Sequence, residues 1–129
     1  MSDETKTEEA KVVEEAKTSP KITYEDFKKV EITLGKILSA EKIEGSEKLL
    51  KLMVSFAEPE PRQIISGIQK YFPDESILVN QKCMFVTNLE PRKMMGMESN
   101  GMLFAVGGGD VPFSFMTVNE DVPEGTKAN

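Results

Sequence analysis

The sequence predicts an all-β domain, a five-stranded OB-fold barrel with a short N-terminal helix and a C-terminal extension. Three observations carry that expectation. Five short apolar runs are separated by turns bearing glycine, proline or asparagine. The run Leu49–Phe56 alternates with period two, so that Leu50, Leu52, Val54 and Phe56 share one face and Lys51, Met53 and Ser55 the other. A proline-bearing stretch with helical character, QKYFPDESILVNQ, falls between the third and fourth runs. Pattern alone leaves a sandwich or an SH3-like barrel open as alternatives.

In chain order, residues 1–20 read as a disordered acidic tail. Val12 and Val13 are their only large aliphatic groups behind Met1, too little to offset the entropy of ordering. The barrel domain is expected over residues 21–107. Thr23 is placed to cap a short helix over about residues 24–29, with Glu25 and Asp26 in its first turn. Tyr24 and Phe27, three residues apart, would dock that helix on the body. The first strand runs through Val30, Ile32, Leu34 and Ile37, and Gly35 within it marks a bulge or sharp bend. Leu49–Phe56 is the second strand, and RQIISGI (Arg62–Ile68) the third, reached through the turn EPEP. KCMFVTN (Lys82–Asn88) is the fourth and GMLFAV (Gly101–Val106) the fifth. Residues 108–129 form a C-terminal extension. Its apolar Phe113, Phe115, Met116 and Val118, with Tyr24 and Phe27, are expected to serve as a dimer contact.

Composition removes several kinds of chemistry. The chain has 129 residues, one cysteine and no histidine. That excludes an internal disulfide, Ser-His and Cys-His catalysis and the common zinc ligand sets, and no cofactor or metal is expected. Cys83 sits in an apolar strand and reads as a small buried hydrophobe. The paired acids Asp74/Glu75 and Glu120/Asp121 lie in polar turns, with nothing to drive a carboxyl into an apolar pocket. Gly107-Gly108-Gly109 is followed by no lysine and reads as a flexible turn, not a phosphate loop. No run is long and apolar enough for a membrane span, and the N-terminus lacks a signal-peptide pattern. A soluble cytoplasmic protein without membrane association is therefore expected.

Net charge is −6, which speaks against a polyanion as partner, but its distribution is uneven. Residues 1–19 carry −3 and residues 94–129 carry −4, whereas residues 47–93 carry +1. Within that central stretch Lys48, Lys51 and Arg62 belong to the second and third strands, and Arg92 and Lys93 to the loop before the fifth. In an OB barrel the ligand lies across the second and third strands, bordered by such loops, so these bases would converge on one groove. Ser66-Gly67 inside the third strand suits close approach by a ligand or another backbone. Met94, Met95, Met97 and Met102 offer a soft apolar surface, for core packing or for a ligand.

The segments KLLKLMV, RQIISGI, NLEPRKMMG and ESNGMLFAV, in that order and spacing, resemble the tRNA-binding domain family over about residues 23–106. That family includes the C-terminal domain of methionyl-tRNA synthetase, free-standing tRNA-binding proteins and export-associated chaperone-like relatives. The resemblance implies an OB barrel, homodimerisation through segments outside it, and non-catalytic tRNA binding by shape and backbone. It also implies a possible aminoacyl-tRNA synthetase partner. Carried residue by residue, it adds Asn88, Ser99 and Met102 to Lys48, Lys51, Arg62 and Lys93 as RNA-binding positions. The bases would meet phosphates, Asn88 and Ser99 a base edge or 2′-hydroxyl, and Met102 would serve as an apolar platform. A peptide-binding, chaperone-like activity is the alternative. Ile43-Glu44 replaces the His-Pro common in the family, and Asn80 stands where glycine is usual, a site asparagine tolerates at positive φ.

Overall fold

A computed structural model describes residues 19–129 of the chain. The acidic tail expected over residues 1–20 lies, except for its last two residues, outside the described part.

Thr23 caps the only α-helix of the described residues, α1 (Tyr24–Phe27), its hydroxyl accepting from the Asp26 amide at 3.1 Å. The helix is one turn, shorter than expected. The Lys29 and Val30 amides already turn back three residues, onto Asp26 and Phe27. Neither aromatic docks: Tyr24 is 71% and Phe27 51% exposed.

The body is a five-stranded antiparallel sheet, built from β1 (Ile32–Lys42), β2 (Leu50–Ser55), β3 (Arg62–Ser66), β4 (Lys82–Val86) and β7 (Met102–Leu103), in the order β3-β2-β1-β4-β7. It curls nearly into a barrel, as the five apolar runs predict. The long strand β1 makes this possible. Its first half pairs with β4 and its second half with β2, and the register shifts at Ile37/Ser39 where it bends. Gly35 is needed for closeness: a Cβ there would come within 2.6 Å of both the Phe56 and Val54 side chains. The alternation in β2 delivers Leu50, Leu52, Val54 and Phe56 inward, against Ile37, Ile64, Leu78, Cys83 and Phe85. Burial pushes the Cys83 thiol up to about 12, so it stays an inert hydrophobe.

Between β3 and β4 two 3₁₀ turns appear, Gln69–Tyr71 and Glu75–Leu78, where one helical turn is expected. Asp74 caps the second, and Leu78 fills the barrel end. Asn80 takes a φ of 73°, the left-handed conformation its side chain tolerates.

The second half of the chain departs further from expectation. The stretch read as a loop before the fifth strand is a hairpin, β5 (Arg92–Met94) and β6 (Met97–Ser99), turned by Met95-Gly96 at φ 53° and 78°. Two consecutive positive φ values give the tight hairpin turn whose usual first residue is Asn, Asp or Gly. Methionine there concealed it. The expected fifth strand divides. β7 pairs with β4, while β8 (Ala105–Gly108) leaves to pair with β9 (Val111–Phe115). The glycine run thus ends β8 and, with Gly109-Asp110, turns a second hairpin. A Cβ on Gly107 would lie 1.9 Å from the Pro112 carbonyl oxygen.

That hairpin lays Phe113 on Tyr71 (centroids 4.6 Å apart, stacked) and Phe115 on Phe72 (5.4 Å, stacked). Residues 123–128 then return to the barrel, where Leu34 exchanges backbone bonds with Gly125 and Thr126 at 2.7 and 2.8 Å. The C-terminal extension therefore completes the fold of its own chain, and two of the aromatics expected at a dimer contact are partly covered within it.

Candidate nucleic-acid interface

The register of β1, β2 and β3 sets out the outer face of the sheet. Lys51 stands between Glu41 on β1 and Ile65 on β3, and Met53 faces Gln63. The Lys51 ammonium lies 3.4 Å from the Glu41 carboxylate, a partly exposed pair that water and salt weaken. Lys48 precedes β2 in a turn organised by Ser46, whose hydroxyl accepts from the amides of Lys48 and Leu49 at 3.1 Å each. Arg92 and Lys93 stand exposed on β5. Among the described residues no carboxylate lies within 4 Å of Lys48, Arg92 or Lys93.

Between β3 and the β5–β6 hairpin lies a recess of 170 Å³. Its lining is Ile65, Ser66 and Gly67 from β3 and its end, Leu89, Glu90, Arg92 and Met94 from the incoming loop and β5, and Ser99, Gly101, Met102 and Leu103 beyond. Arg92, Ser99 and Met102 therefore meet at one place. Met102 is 44% exposed there, an apolar platform facing solvent.

Ser99, Asn88 and Arg62, also expected as RNA contacts, have polar atoms that are hydrogen-bonded within the chain. Ser99 is 4% exposed; its hydroxyl accepts from the Ile65 amide at 2.9 Å and donates to the Gly101 carbonyl at 3.1 Å. With Asn100 N–H to Gln63 O (2.8 Å) and Gln63 Nε2 to Glu98 O (2.8 Å), it sews the seam that closes the barrel. Asn88 is tied twice, Oδ1 accepting from Glu31 N–H at 2.9 Å and Nδ2 donating to Lys29 O at 2.5 Å. Arg62 forks onto Glu58 at 2.9 and 2.8 Å, gives its third contact to Thr87 O at 2.7 Å, and lies over the Phe56 ring. The hydrogen bonds from Arg62 hold the Glu58 carboxyl below its ordinary value, and Glu58 in turn raises Arg62. Arg62 borders a different, acidic groove with Glu58, Glu60 and Glu98, and does not line the recess.

Sequence reasoning missed Leu89 and Ile65 as recess walls. Ile65 alternates to the outer face of β3, and only the hairpin that covers it makes it buried. Among the described residues no three His, Cys, Asp or Glu side chains are grouped to hold a metal ion.

Residues 32–127 match the family model described as "Putative tRNA binding domain". The chain belongs to the tRNA-binding domain family. It is 44% identical over 124 residues to a methionine–tRNA ligase of Caldanaerobacter subterraneus subsp. tengcongensis, a match covering 96% of this chain and 19% of the ligase. A methionine–tRNA ligase of Methanospirillum hungatei is 47% identical over 109 residues, covering 84% of this chain and 16% of that one. The chain thus spans under a fifth of the ligases it matches. Among solved structures, a MetRS-related protein from Pyrococcus horikoshii superposes with a TM-score of 0.77 at 35% identity, over 85% of this chain and 99% of that one. A CsaA chaperone from Bacillus anthracis shares the fold, with a TM-score of 0.74 at 22% identity over 85% of this chain and 100% of that one.

Proposed function

We propose that this chain is a non-catalytic module that binds tRNA through its backbone and shape, on the face formed by β2, β3 and the β5–β6 hairpin. The observation that carries this reading is the placement of exposed Lys48, Arg92 and Lys93 and of half-buried Lys51 beside an apolar recess in a chain otherwise acidic. The four bases meet phosphates, and Met102 meets a base or sugar. Ser99, Asn88 and Arg62 hold that face in shape without touching RNA. The module acts in the cytoplasm, in trans or docked on an aminoacyl-tRNA synthetase of the methionyl type, and pairs with a second copy of itself. Exposed Tyr24, Phe27 and Val30 at one end support the pairing.

Changing Lys51 and Lys93 together to alanine tests this directly. Each phosphate contact contributes roughly one unit to the slope of log affinity against log salt, so the slope should flatten by about two for every tRNA tried. Removing Lys28 and Lys29, just after α1, should change little. Equal damage from both pairs would place tRNA elsewhere. An affinity for unfolded peptide that ignores salt, with none for tRNA, would favour the chaperone-like reading that the apolar recess also suits.

A further inference from the structure

Two of the four cations on the candidate RNA face have a carboxylate directly opposite them on the next strand. We infer that Glu41, and more weakly Glu98, stand in for RNA phosphate in the free protein and hold tRNA affinity below what the lysines alone would give. This rests on the tRNA-binding reading above, and it gives the acids of a chain with net charge −6 a part in the binding of a polyanion.

Glu41 on β1 is the cross-strand partner of Lys51 on β2, and β3 continues the row with Ile65, a wall of the recess. Side chains directly opposite on one face of an antiparallel pair have Cβ atoms about 4.5–5.5 Å apart, so the register itself keeps the acid within reach of the ammonium. The two charged groups lie 3.4 Å apart. A phosphate oxygen arriving at Lys51 seeks the same N–H donors that Glu41 draws on. The Glu41 side chain is the more open of the two, 63% exposed against 31% for Lys51. It can turn into water when RNA arrives, while the lysine keeps its place on the face. The acid therefore competes with phosphate without walling it off.

On the hairpin, Glu98 of β6 stands opposite Lys93 of β5, but their charged groups lie more than 4 Å apart. Attraction between exposed charges falls with distance and is screened by salt, so Glu98 competes less than Glu41. Lys48 precedes β2, outside the paired strands, and supplies a charge with no acid set against it. The face thus attracts a polyanion while its own carboxylates cap how tightly it is held.

The test measures the affinity of the full chain for tRNA along a salt series. Glu41→Gln keeps the shape of the side chain and removes its charge. It should tighten binding roughly twofold to fivefold, the range that the coupling of an exposed ion pair allows, and steepen the slope of log affinity against log salt by up to about one unit. Glu98→Gln should give a smaller gain of the same sign. Glu25→Gln removes an equal charge from α1, which carries none of the four bases, and should gain less than Glu41→Gln. The decisive arm is the double variant. On a Lys51→Ala background Glu41→Gln should give no gain, because the acid then has no cation to release. Melting temperature should stay level throughout, since a partly exposed pair contributes little to the fold. Equal gains from Glu25→Gln and Glu41→Gln would overturn the inference in favour of net charge alone. A gain that survived Lys51→Ala would also overturn it, and so would unchanged or weaker binding by Glu41→Gln; in each case a lysine-dependent salt slope for tRNA would still stand. If Lys51→Ala and Lys93→Ala left tRNA binding and its salt slope untouched, the face itself would be misplaced and both readings would fall together.

Discussion

Replacing Ser99 by alanine separates a structural role from a ligand contact. The Ser99 hydroxyl sits at the seam between β3 and the end of β6, accepting from the buried Ile65 amide at 2.9 Å and donating to Gly101 O at 3.1 Å. Alanine leaves the N–H of buried Ile65 without its partner. An unsatisfied buried donor costs about 1–3 kcal/mol, more than the ~1 kcal/mol net value of an ordinary hydrogen bond. For a domain of this size each kcal/mol lowers Tm by roughly 4 °C, so Ser99→Ala should melt about 4–12 °C lower by circular dichroism. tRNA affinity, measured at a temperature where both proteins are folded, should be unchanged. An unaltered Tm combined with weaker tRNA binding would refute the reasoning, because the hydroxyl would then be facing RNA and not the seam.

Two further outcomes follow from the geometry. Hydrogen bonds from Arg62 hold the Glu58 carboxyl below its ordinary 4.5, and the Thr87 hydroxyl, then Lys127, do the same for Glu31. A depressed native pKa means the unfolded chain binds more protons, so this stability is complete above about pH 4.5 and drains away as pH falls below it. Tm should be level near neutrality and drop in acid, modestly because both carboxylates are partly exposed, and Glu58→Gln should shallow that drop; a Tm that instead fell on raising pH from 4 to 7 would contradict it. Light scattering at tens of micromolar should give about twice the 14.4 kDa chain mass, and a single species at the chain mass would end the proposal of self-association.

The barrel's first half was legible because its signals are local. Alternation in Leu50–Phe56, the Thr23 cap and the asparagine at position 80 each follow from side-chain chemistry within a few residues, and each stands where expected. The second half was less legible. Met95 at positive φ violates the residue preference that marks a two-residue hairpin turn, and Gly107–Gly109 reads equally well as a loose linker or as the end of β8 leading into the turn to β9. Phe113 and Phe115 looked available to a second chain, and only the proximity of Tyr71 and Phe72, some forty residues earlier, gives them partners in their own.

By itself the sequence determined an all-β domain with an OB-like strand order, the inward set of core residues, and the basic side chains that crowd its central stretch. Those depend on period, charge and turn chemistry, which are properties of neighbours along the chain. Which polar residues remain open to a ligand was decided only by tertiary structure. Arg62, Asn88 and Ser99 look like binding groups in a linear reading. Their donors and acceptors are taken by Glu58 and Thr87, by Lys29 and Glu31, and by Ile65 and Gly101. Most of those partners lie tens of residues away, and closing the barrel is what brings them within hydrogen-bonding distance. The recess arises the same way, since Ile65, Leu89 and Met102 become one surface only when β3 and the β5–β6 hairpin meet across the seam.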